Sequence, residues 1–180
     1  MSVVVQDNFL DKNYFKEIQD EILGIENRIE TYGYHFPWFM APILLPSKDT
    51  MMIHMVYGNH NPGSPFYKKL LPLIDKLDVY SLLRIKINLQ ERKEKFIEGG
   101  MHIDMQTAPE NALTSILYMN TNNGYTKLES GEKIASVENR LVTFPNKLRH
   151  AGSTNNCDAK YRCVMNIDWI KREKQLKMEK

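Results

Sequence analysis

A histidine and an aspartate two residues apart, His102 and Asp104, have the types and the spacing of metal ligands. In an extended segment, residues i and i+2 point to the same face, so an imidazole and a carboxylate can reach one point in space. Gly99 and Gly100, just before them, permit close approach of the backbone. Together with a second histidine, such a pair would occupy one face of an octahedral ion, which is typical of non-haem iron(II) sites.

His150 is the best candidate for the second histidine, because it follows a predicted strand and a turn and precedes Gly152. The other histidines, His35, His54 and His60, lie outside the half of the chain that is rich in predicted strands. The alternative is a chance triplet, since an exposed histidine beside an aspartate often has no function.

Arg162 lies on the last predicted strand, whose two faces differ in character. One face carries Arg162, Val164, Asn166 and Asp168, and the other carries Tyr161, Cys163, Met165, Ile167 and Trp169. The second face should pack outward against the amino-terminal helices, which turns Arg162 and Asn166 towards the interior. An inward arginine requires an anion, either in a structural ion pair or as the distal carboxylate of a dicarboxylate such as 2-oxoglutarate.

Two other predicted strands repeat this polar and apolar alternation. Their polar faces carry Arg84, Lys86, Asn88 and Gln90 in one case, and Thr114, Ile116, Tyr118 and Asn120 in the other. A polar interior is typical of a barrel that encloses a charged ligand, so Arg84, Lys86, Asn88 and Thr114 are candidates for a substrate or co-substrate pocket. The alternative is that the polar faces of both strands are ordinary surfaces that point to solvent.

The elements that must position these residues are mainly strands. Short strands are predicted at 3–5, 79–90, 113–120, 126–129, 133–137, 140–144 and 161–170. Asp11 can cap a helix with Tyr14, Phe15, Ile18, Ile22 and Leu23 on one stripe, and Ser64 followed by Pro65 can start a second helix that ends near Lys76. Residues 32–45 favour an irregular segment or an edge strand. Turns at Asn122-Asn123-Gly124 and Ser130-Gly131 should have positive φ, and together the strands predict a sandwich or barrel.

Composition narrows the function classes. The chain has 180 residues, 42% of them hydrophobic, enough for one domain with a core. The 24 basic and 22 acidic residues nearly balance, so nucleic acid is not indicated as a partner. Two cysteines are too few for a disulfide framework, and no apolar run is long enough to span a membrane, which predicts a cytoplasmic protein. The oligomeric state cannot be read from the sequence.

Several motifs in this order resemble the 2-oxoglutarate/iron(II) oxygenase superfamily. They are His102-Ile103-Asp104, Thr114 to Asn120, Gly124-Tyr125-Thr126, Asn139 to Pro145, His150-Ala151-Gly152 and Arg162. The match spans about residues 80–170 and is most similar to the prolyl-4-hydroxylase-like members, including small versions common in phage genomes. If phage-encoded, the protein would work in the host cytoplasm.

The resemblance implies a double-stranded β-helix, or jelly roll, with amino-terminal helices on its outer sheet. It implies one domain: a helical or irregular part at 1–78, the jelly-roll core at about 79–170 and a charged tail at 171–180. His102, Asp104 and His150 would bind Fe(II), and Arg162 would bind the distal carboxylate of 2-oxoglutarate with help from Tyr118. Asn166 stands where the family often has a small hydroxyl residue and is a further candidate for binding the co-substrate. Residues 30–62 and 91–99 are plausible lids.

The activity implied is hydroxylation of a C–H bond in a small-molecule or peptidyl substrate, with O2 consumed and succinate and CO2 released. Ascorbate would be an accessory reductant. Two alternatives stay open: a jelly-roll module that binds metal or a partner without turnover, and a cupin-type metalloenzyme that uses no keto acid.

Overall fold

The computed structural model describes residues 2–24, 36–42 and 50–172. In chain order these form β1 (Val4–Gln6), α1 (Lys12–Leu23), β2 (Phe39–Pro42), β3 (Thr50–Gly58), β4 (Asn61–Pro62), a 3-10 helix (Pro65–Leu70), α2 (Leu71–Lys76), β5 (Val79–Glu91), β6 (Ala112–Tyr118), β7 (Tyr125–Leu128), β8 (Lys133–Ala135), β9 (Leu141–Pro145), β10 (His150–Gly152) and β11 (Tyr161–Lys171).

The strands form two antiparallel sheets, as a jelly roll requires. The major sheet has the order β1-β9-β6-β11-β5-β3-β2, with β4 added beside β3, and the minor sheet has the order β10-β7-β8. Strand β11 lies centrally in the major sheet and pairs with β5 on one side and β6 on the other. The predicted jelly roll is confirmed, and its central strand is the one that carries Arg162.

The outer face of the major sheet carries the larger hydrophobic core. Cys163, Met165, Ile167 and Trp169 of β11 are buried there together with apolar residues of α1. On the opposite face, side chains of β6, β9 and β11 meet those of β7 and β8 in a smaller core that contains Val164. The predicted division of β11 into an outward apolar face and an inward polar face is therefore confirmed.

Helix α1 begins and packs as the sequence predicts. The Asp11 carboxylate accepts hydrogen bonds from the backbone N–H groups of Asn13 and Tyr14, which caps the first turn. Phe15, Ile18 and Ile22 are buried on the inner side of the helix. α1 thus closes the outer face of the major sheet.

The second predicted helix is divided into two types. Ser64 Oγ accepts a hydrogen bond from the N–H of Phe66, and the helical stretch ends at Lys76 as predicted. Its first six residues form a 3-10 helix, and only the last six are α-helical. No helix in the described part of the chain has the length and apolar character that crossing a membrane would take.

The β core begins earlier than the predicted boundary at residue 79, which is a correction. Strand β3 pairs with β5, and β1 joins the opposite edge beside β9. The alternation in β3 was missed because His54, a polar residue, holds one of its buried positions between exposed methionines. The aromatic segment predicted to be irregular or an edge strand has no regular structure at 36–38 and then forms the edge strand β2. Its residues 32–35 and 43–45, and the tail from 173 onwards, lie outside the described residues.

Candidate metal centre and co-substrate pocket

His102 and His150 face each other through a single pair of backbone hydrogen bonds. Each N–H donates to the other residue's carbonyl at 2.9 Å, which forms an isolated antiparallel bridge. Residues paired in this way project their side chains to the same side, and the two imidazole centroids lie 4.8 Å apart. Beyond this one bridge the segment is not a regular strand, because Asp104 follows in a bend.

Asp104 completes a three-residue metal site. Its Oδ1 lies 3.6 Å from His102 Nε2, and its Oδ2 lies 3.6 Å from His150 Nε2. The three ligand atoms lie within 4.8 Å of one another, and among the described residues this is the one such group of histidine, cysteine or carboxylate side chains. The predicted ligands are therefore brought together.

The backbone fixes which nitrogen of each imidazole can bind a metal. His102 Nδ1 lies 2.9 Å from the carbonyl oxygen of Gly100, and His150 Nδ1 lies 3.2 Å from that of Leu148. A carbonyl oxygen only accepts, so each Nδ1 carries the proton and each Nε2 keeps its lone pair. Metal-binding histidines typically have such a partner on the other nitrogen. The donor set, two oriented imidazoles and one carboxylate, fits Fe(II).

The Asp104 carboxylate is held by two further side chains. Asn166 Nδ2 donates to its Oδ2 at 2.7 Å, and the Nη2 of Arg84 lies 3.3 Å from its Oδ1. Burial acts to raise the pKa of Asp104, but the two neighbouring imidazoles and the charge of Arg84 keep it well below its ordinary value. The amide nitrogen of Asn166 thus contacts a metal ligand, and its predicted contact with the co-substrate stays a prediction.

Arg84 joins Asp104 to a second buried carboxylate, that of Asp168. Arg84 Nε donates to Asp168 Oδ2 at 2.7 Å, while Thr114 Oγ1 and Asn146 Nδ2 donate to Asp168 Oδ1 at 2.8 and 2.9 Å. The placement of Thr114 in the pocket is wrong, because its side chain is fully buried against Asp168. The alternation along β11 predicts Asp168 on the inward face but assigns it no role. Its pairing with Arg84 joins residues 84 positions apart, so only a correct strand register would have revealed it.

Arg162 is the buried cation of the pocket's inner end. Its side chain donates to the hydroxyls of Ser136 at 2.9 Å and Thr126 at 3.1 Å, and it is only 5% exposed. Burial lowers the pKa of its guanidinium. Among the residues that the structure describes it has no carboxylate partner, so the alternative of a structural ion pair finds no support in them.

Tyr118 lies beside Arg162 rather than on the pocket surface. Its hydroxyl donates to Thr126 Oγ1 at 2.8 Å, and the Arg162 guanidinium carbon lies 5.7 Å from the centre of its ring. The side chain is fully buried, and burial raises the pKa of the phenol. Its contact with a bound carboxylate stays a prediction; the contact shown is with the threonine that Arg162 also uses.

Gly124 packs directly against the side chain of Arg162. The predicted positive φ at this turn is wrong: among the described glycines only Gly131, in the other predicted turn, has one, at 91°. A Cβ on Gly124 would lie 2.7 Å from Arg162 Cδ and 3.0 Å from the carbonyl oxygen of Thr154. A side chain at 124 would therefore occupy space that the arginine needs.

A cavity of about 190 Å³ connects the metal ligands with Arg162. Its walls carry Met51, Arg84, Lys86, Asn88, Gln90, Gly99, Gly100, His102, Asp104, Ile116, Thr126, His150, Gly152, Arg162, Val164 and Asn166. Arg84, Lys86 and Asn88 line this cavity, and their contact with a substrate or co-substrate stays a prediction. For β5 the alternative of a solvent-facing surface is therefore wrong.

The segment between β5 and His102 is fastened to the minor sheet. Gly99 N–H donates to the carbonyl of Gly152 at 2.8 Å, and a Cβ at 99 would lie 3.0 Å from that oxygen, which confirms the predicted close approach. Glu98 accepts hydrogen bonds from Lys127 Nζ and Tyr125 Oη, both at 2.8 Å. Whether this segment acts as a lid stays a prediction.

His54 is a core histidine. It lies in β3 with 2% exposure, its Nδ1 is 2.7 Å from the carbonyl oxygen of Pro37, and its ring packs on Phe36. It is not among the ligand residues, as the sequence analysis expected, although it does lie in the sheet.

Solved structures share this architecture at low sequence identity. A 2OG-Fe(II) oxygenase family oxidoreductase from Burkholderia pseudomallei aligns over 95% of this chain and 86% of its own, with a TM-score of 0.67 and 14% identity. The chain has the fold of the 2-oxoglutarate/iron(II) oxygenases. A Pseudomonas putida prolyl-4-hydroxylase shares this oxygenase fold over 94% of this chain and 92% of its own, with a TM-score of 0.61 and 14% identity.

A third structure with the oxygenase fold is SnoN, a non-heme alpha ketoglutarate dependent epimerase from nogalamycin biosynthesis. It aligns over 94% of this chain and 78% of its own, with a TM-score of 0.66 and 13% identity. No protein-family model and no curated protein matches the chain by sequence. At these identities the comparisons establish the fold, and the chemistry has to be argued from the site.

Proposed function

We propose that the protein is an Fe(II)- and 2-oxoglutarate-dependent dioxygenase that hydroxylates a C–H bond of its substrate. One observation carries the proposal: a two-histidine, one-carboxylate site and a buried arginine without an acidic partner in the described chain line the same cavity. A module that only binds metal would need the two-histidine, one-carboxylate site but not the buried arginine. The arginine adds the site for a carboxylate.

Each residue has a distinct task in this account. His102, Asp104 and His150 would hold Fe(II), and bound iron with 2-oxoglutarate and O2 would supply the oxidising chemistry while succinate and CO2 leave. Arg162 would bind the distal carboxylate of 2-oxoglutarate, with the hydroxyl of Thr126 beside it. Ile116 and Val164 give the cavity apolar walls, which would help to exclude water once the co-substrate is bound.

The structural relatives with this fold differ in outcome. One is a prolyl-4-hydroxylase and another is an epimerase. Hydroxylation is the proposed outcome because Asp104 supplies the carboxylate ligand and leaves no vacancy for a halide. The proposed substrate is a small molecule or a peptidyl side chain, ascorbate would serve as an accessory reductant, and two free cysteines are in keeping with a cytoplasmic location.

The test is succinate formation from 2-oxoglutarate in the presence of Fe(II) and O2. Wild-type protein should form succinate even without a primary substrate, though slowly. His102→Ala and Asp104→Ala should abolish it, because each removes one metal ligand. His54→Gln is the matched control, since it changes a buried histidine outside the metal site.

The same assay separates the alternatives. A non-catalytic jelly-roll module would form no succinate and would bind no 2-oxoglutarate. A cupin-type enzyme would bind the metal but would also form no succinate, and its metal binding would not depend on Arg162. Loss of succinate formation in both Asp104→Ala and Arg162→Met is the result that the dioxygenase account expects.

A further inference from the structure

The pocket wall carries a cation, Lys86, that has no task in the proposed function. Strand β5 points Arg84, Lys86 and Asn88 into the cavity. Arg84 is engaged by Asp104 and Asp168. Lys86 has neither an ion pair nor a hydrogen bond with any residue that the structure describes, although it is only partly exposed. An ammonium in such a place lacks the partner that buried charges normally have.

Asn88, two residues further along the same face, also lacks a partner. Its Oδ1 is buried without a hydrogen bond among the described residues, and its amide lines the cavity beside Lys86. Positions two apart on one face of a strand are separated by roughly 6.6 Å. The two side chains can therefore contact the same small group.

The strand register separates Lys86 from the proposed distal-carboxylate site. Gln90 of β5 pairs with Arg162 of β11, whereas Lys86 pairs with Asn166, the residue that holds Asp104. Four residues along a strand span about 13 Å, whereas the end carbons of a five-carbon dicarboxylate lie at most about 6 Å apart. Lys86 is thus at the level of the metal ligands, away from the Arg162 end.

The charges of the pocket leave one cation in excess. Arg84, Lys86 and Arg162 contribute three positive charges, and Asp104 and Asp168 contribute two negative ones. Loading the site with Fe(II) and the dianion 2-oxoglutarate adds no net charge. An anionic group at Lys86 would offset this excess of positive charge.

The geometry points to Lys86 and Asn88 as the binding site for an anionic group, a carboxylate or a phosphate monoester, of the primary substrate. This inference rests on the proposed function, in which iron and 2-oxoglutarate fill the rest of the cavity. The apolar side chain of Met51 lines the same cavity next to this wall and would contact an apolar part of that substrate.

The experiment measures the binding of probe molecules to the full-length protein loaded with Zn(II) and excess 2-oxoglutarate. Zn(II) is not redox-active, so the loaded protein cannot oxidise the probes. The probes are hexanoate, hexyl phosphate and the neutral hexanamide, which share one apolar chain, and binding is followed by ligand-observed NMR. A charge-assisted contact predicts that at least one anion binds about tenfold or more tighter than hexanamide. The two anions separate a carboxylate from a phosphate substrate.

The variants identify the residue responsible. Lys86→Met should abolish the anion preference, Lys86→Arg should retain it, and Lys68→Met, at an exposed lysine outside the pocket, should leave it unchanged. The 2-oxoglutarate affinity of Lys86→Met should stay within about threefold of wild type.

Three results would overturn the inference. One is equal or undetectable binding of the anions relative to hexanamide, and another is an anion preference that survives Lys86→Met. The third is a tenfold loss of 2-oxoglutarate affinity in Lys86→Met, which would assign the lysine to the co-substrate. Failure of the proposed function would look different, since wild-type protein would then bind no 2-oxoglutarate at all.

Discussion

At the scale of single residues, Arg162 stabilises the fold little and should matter most for the co-substrate. Its guanidinium is buried, and within the described ranges its hydrogen-bond acceptors are two neutral hydroxyls. Arg162→Met should therefore leave the thermal midpoint of the metal-free protein unchanged or higher, because no buried ion pair is broken. The affinity for 2-oxoglutarate should fall by about tenfold to a hundredfold. Differential scanning fluorimetry and calorimetric titration measure the two effects, and a large loss of stability with unchanged affinity would make the residue structural.

Arg84 should behave in the opposite way, since it neutralises two buried carboxylates. Arg84→Met leaves Asp168 uncompensated and should lower the free energy of unfolding by about 3–5 kcal/mol. The double variant Arg84→Met/Asp168→Asn should recover part of this loss. Urea unfolding of Arg84→Met, Asp168→Asn and the double variant gives a double-mutant cycle. Lys86→Met, on the same face of the strand, is the control for loss of a cation that has no buried carboxylate partner among the residues that the structure describes. Strictly additive losses would contradict the pairing.

At the scale of elements, the turn before β7 shapes the arginine site. Gly124→Ala would place a Cβ against Arg162 Cδ and so displace the guanidinium. We expect a loss of 2-oxoglutarate affinity together with some loss of stability.

Gly131→Ala is the matched control, because its positive φ makes alanine cost about 1–2 kcal/mol while nothing lies near the new methyl group. That variant should be less stable yet bind 2-oxoglutarate normally. Calorimetric titration of both variants decides the matter, and equal 2-oxoglutarate affinities would contradict the proposed role of Gly124.

What the sequence could predict at this scale was local. The alternation along β5 and β11 placed Lys86, Asn88 and Arg162 inward, since strand periodicity needs no knowledge of partners. The roles of Asn166 and Thr114 were missed because they depend on contacts with residues 62 and 54 positions away. Strand β3 was missed because a buried histidine obscured its pattern.

At the scale of the whole molecule, the metal and 2-oxoglutarate should stabilise the fold jointly. The site joins the minor sheet through His150 to the major sheet through Asn166 and Arg162, so filling it ties the two sheets together. A ligand present at about 100 times its dissociation constant adds about 2.7 kcal/mol to the stability. The thermal midpoint should rise with Zn(II) and 2-oxoglutarate and return to the metal-free value with a chelator. Asp104→Ala should show no such rise, and a rise in that variant equal to wild type would place the metal elsewhere.

The central claim is that one cavity binds a metal at one end and a dicarboxylate at the other. Anaerobic calorimetric titration of 2-oxoglutarate into the protein, with and without Fe(II), tests it most directly, with glutarate as the analogue that lacks the keto group. The account predicts tight 2-oxoglutarate binding that depends on Fe(II), and weaker binding of glutarate because it keeps only the Arg162 contact. Binding of 2-oxoglutarate that is absent, or equal with and without the metal, would contradict it.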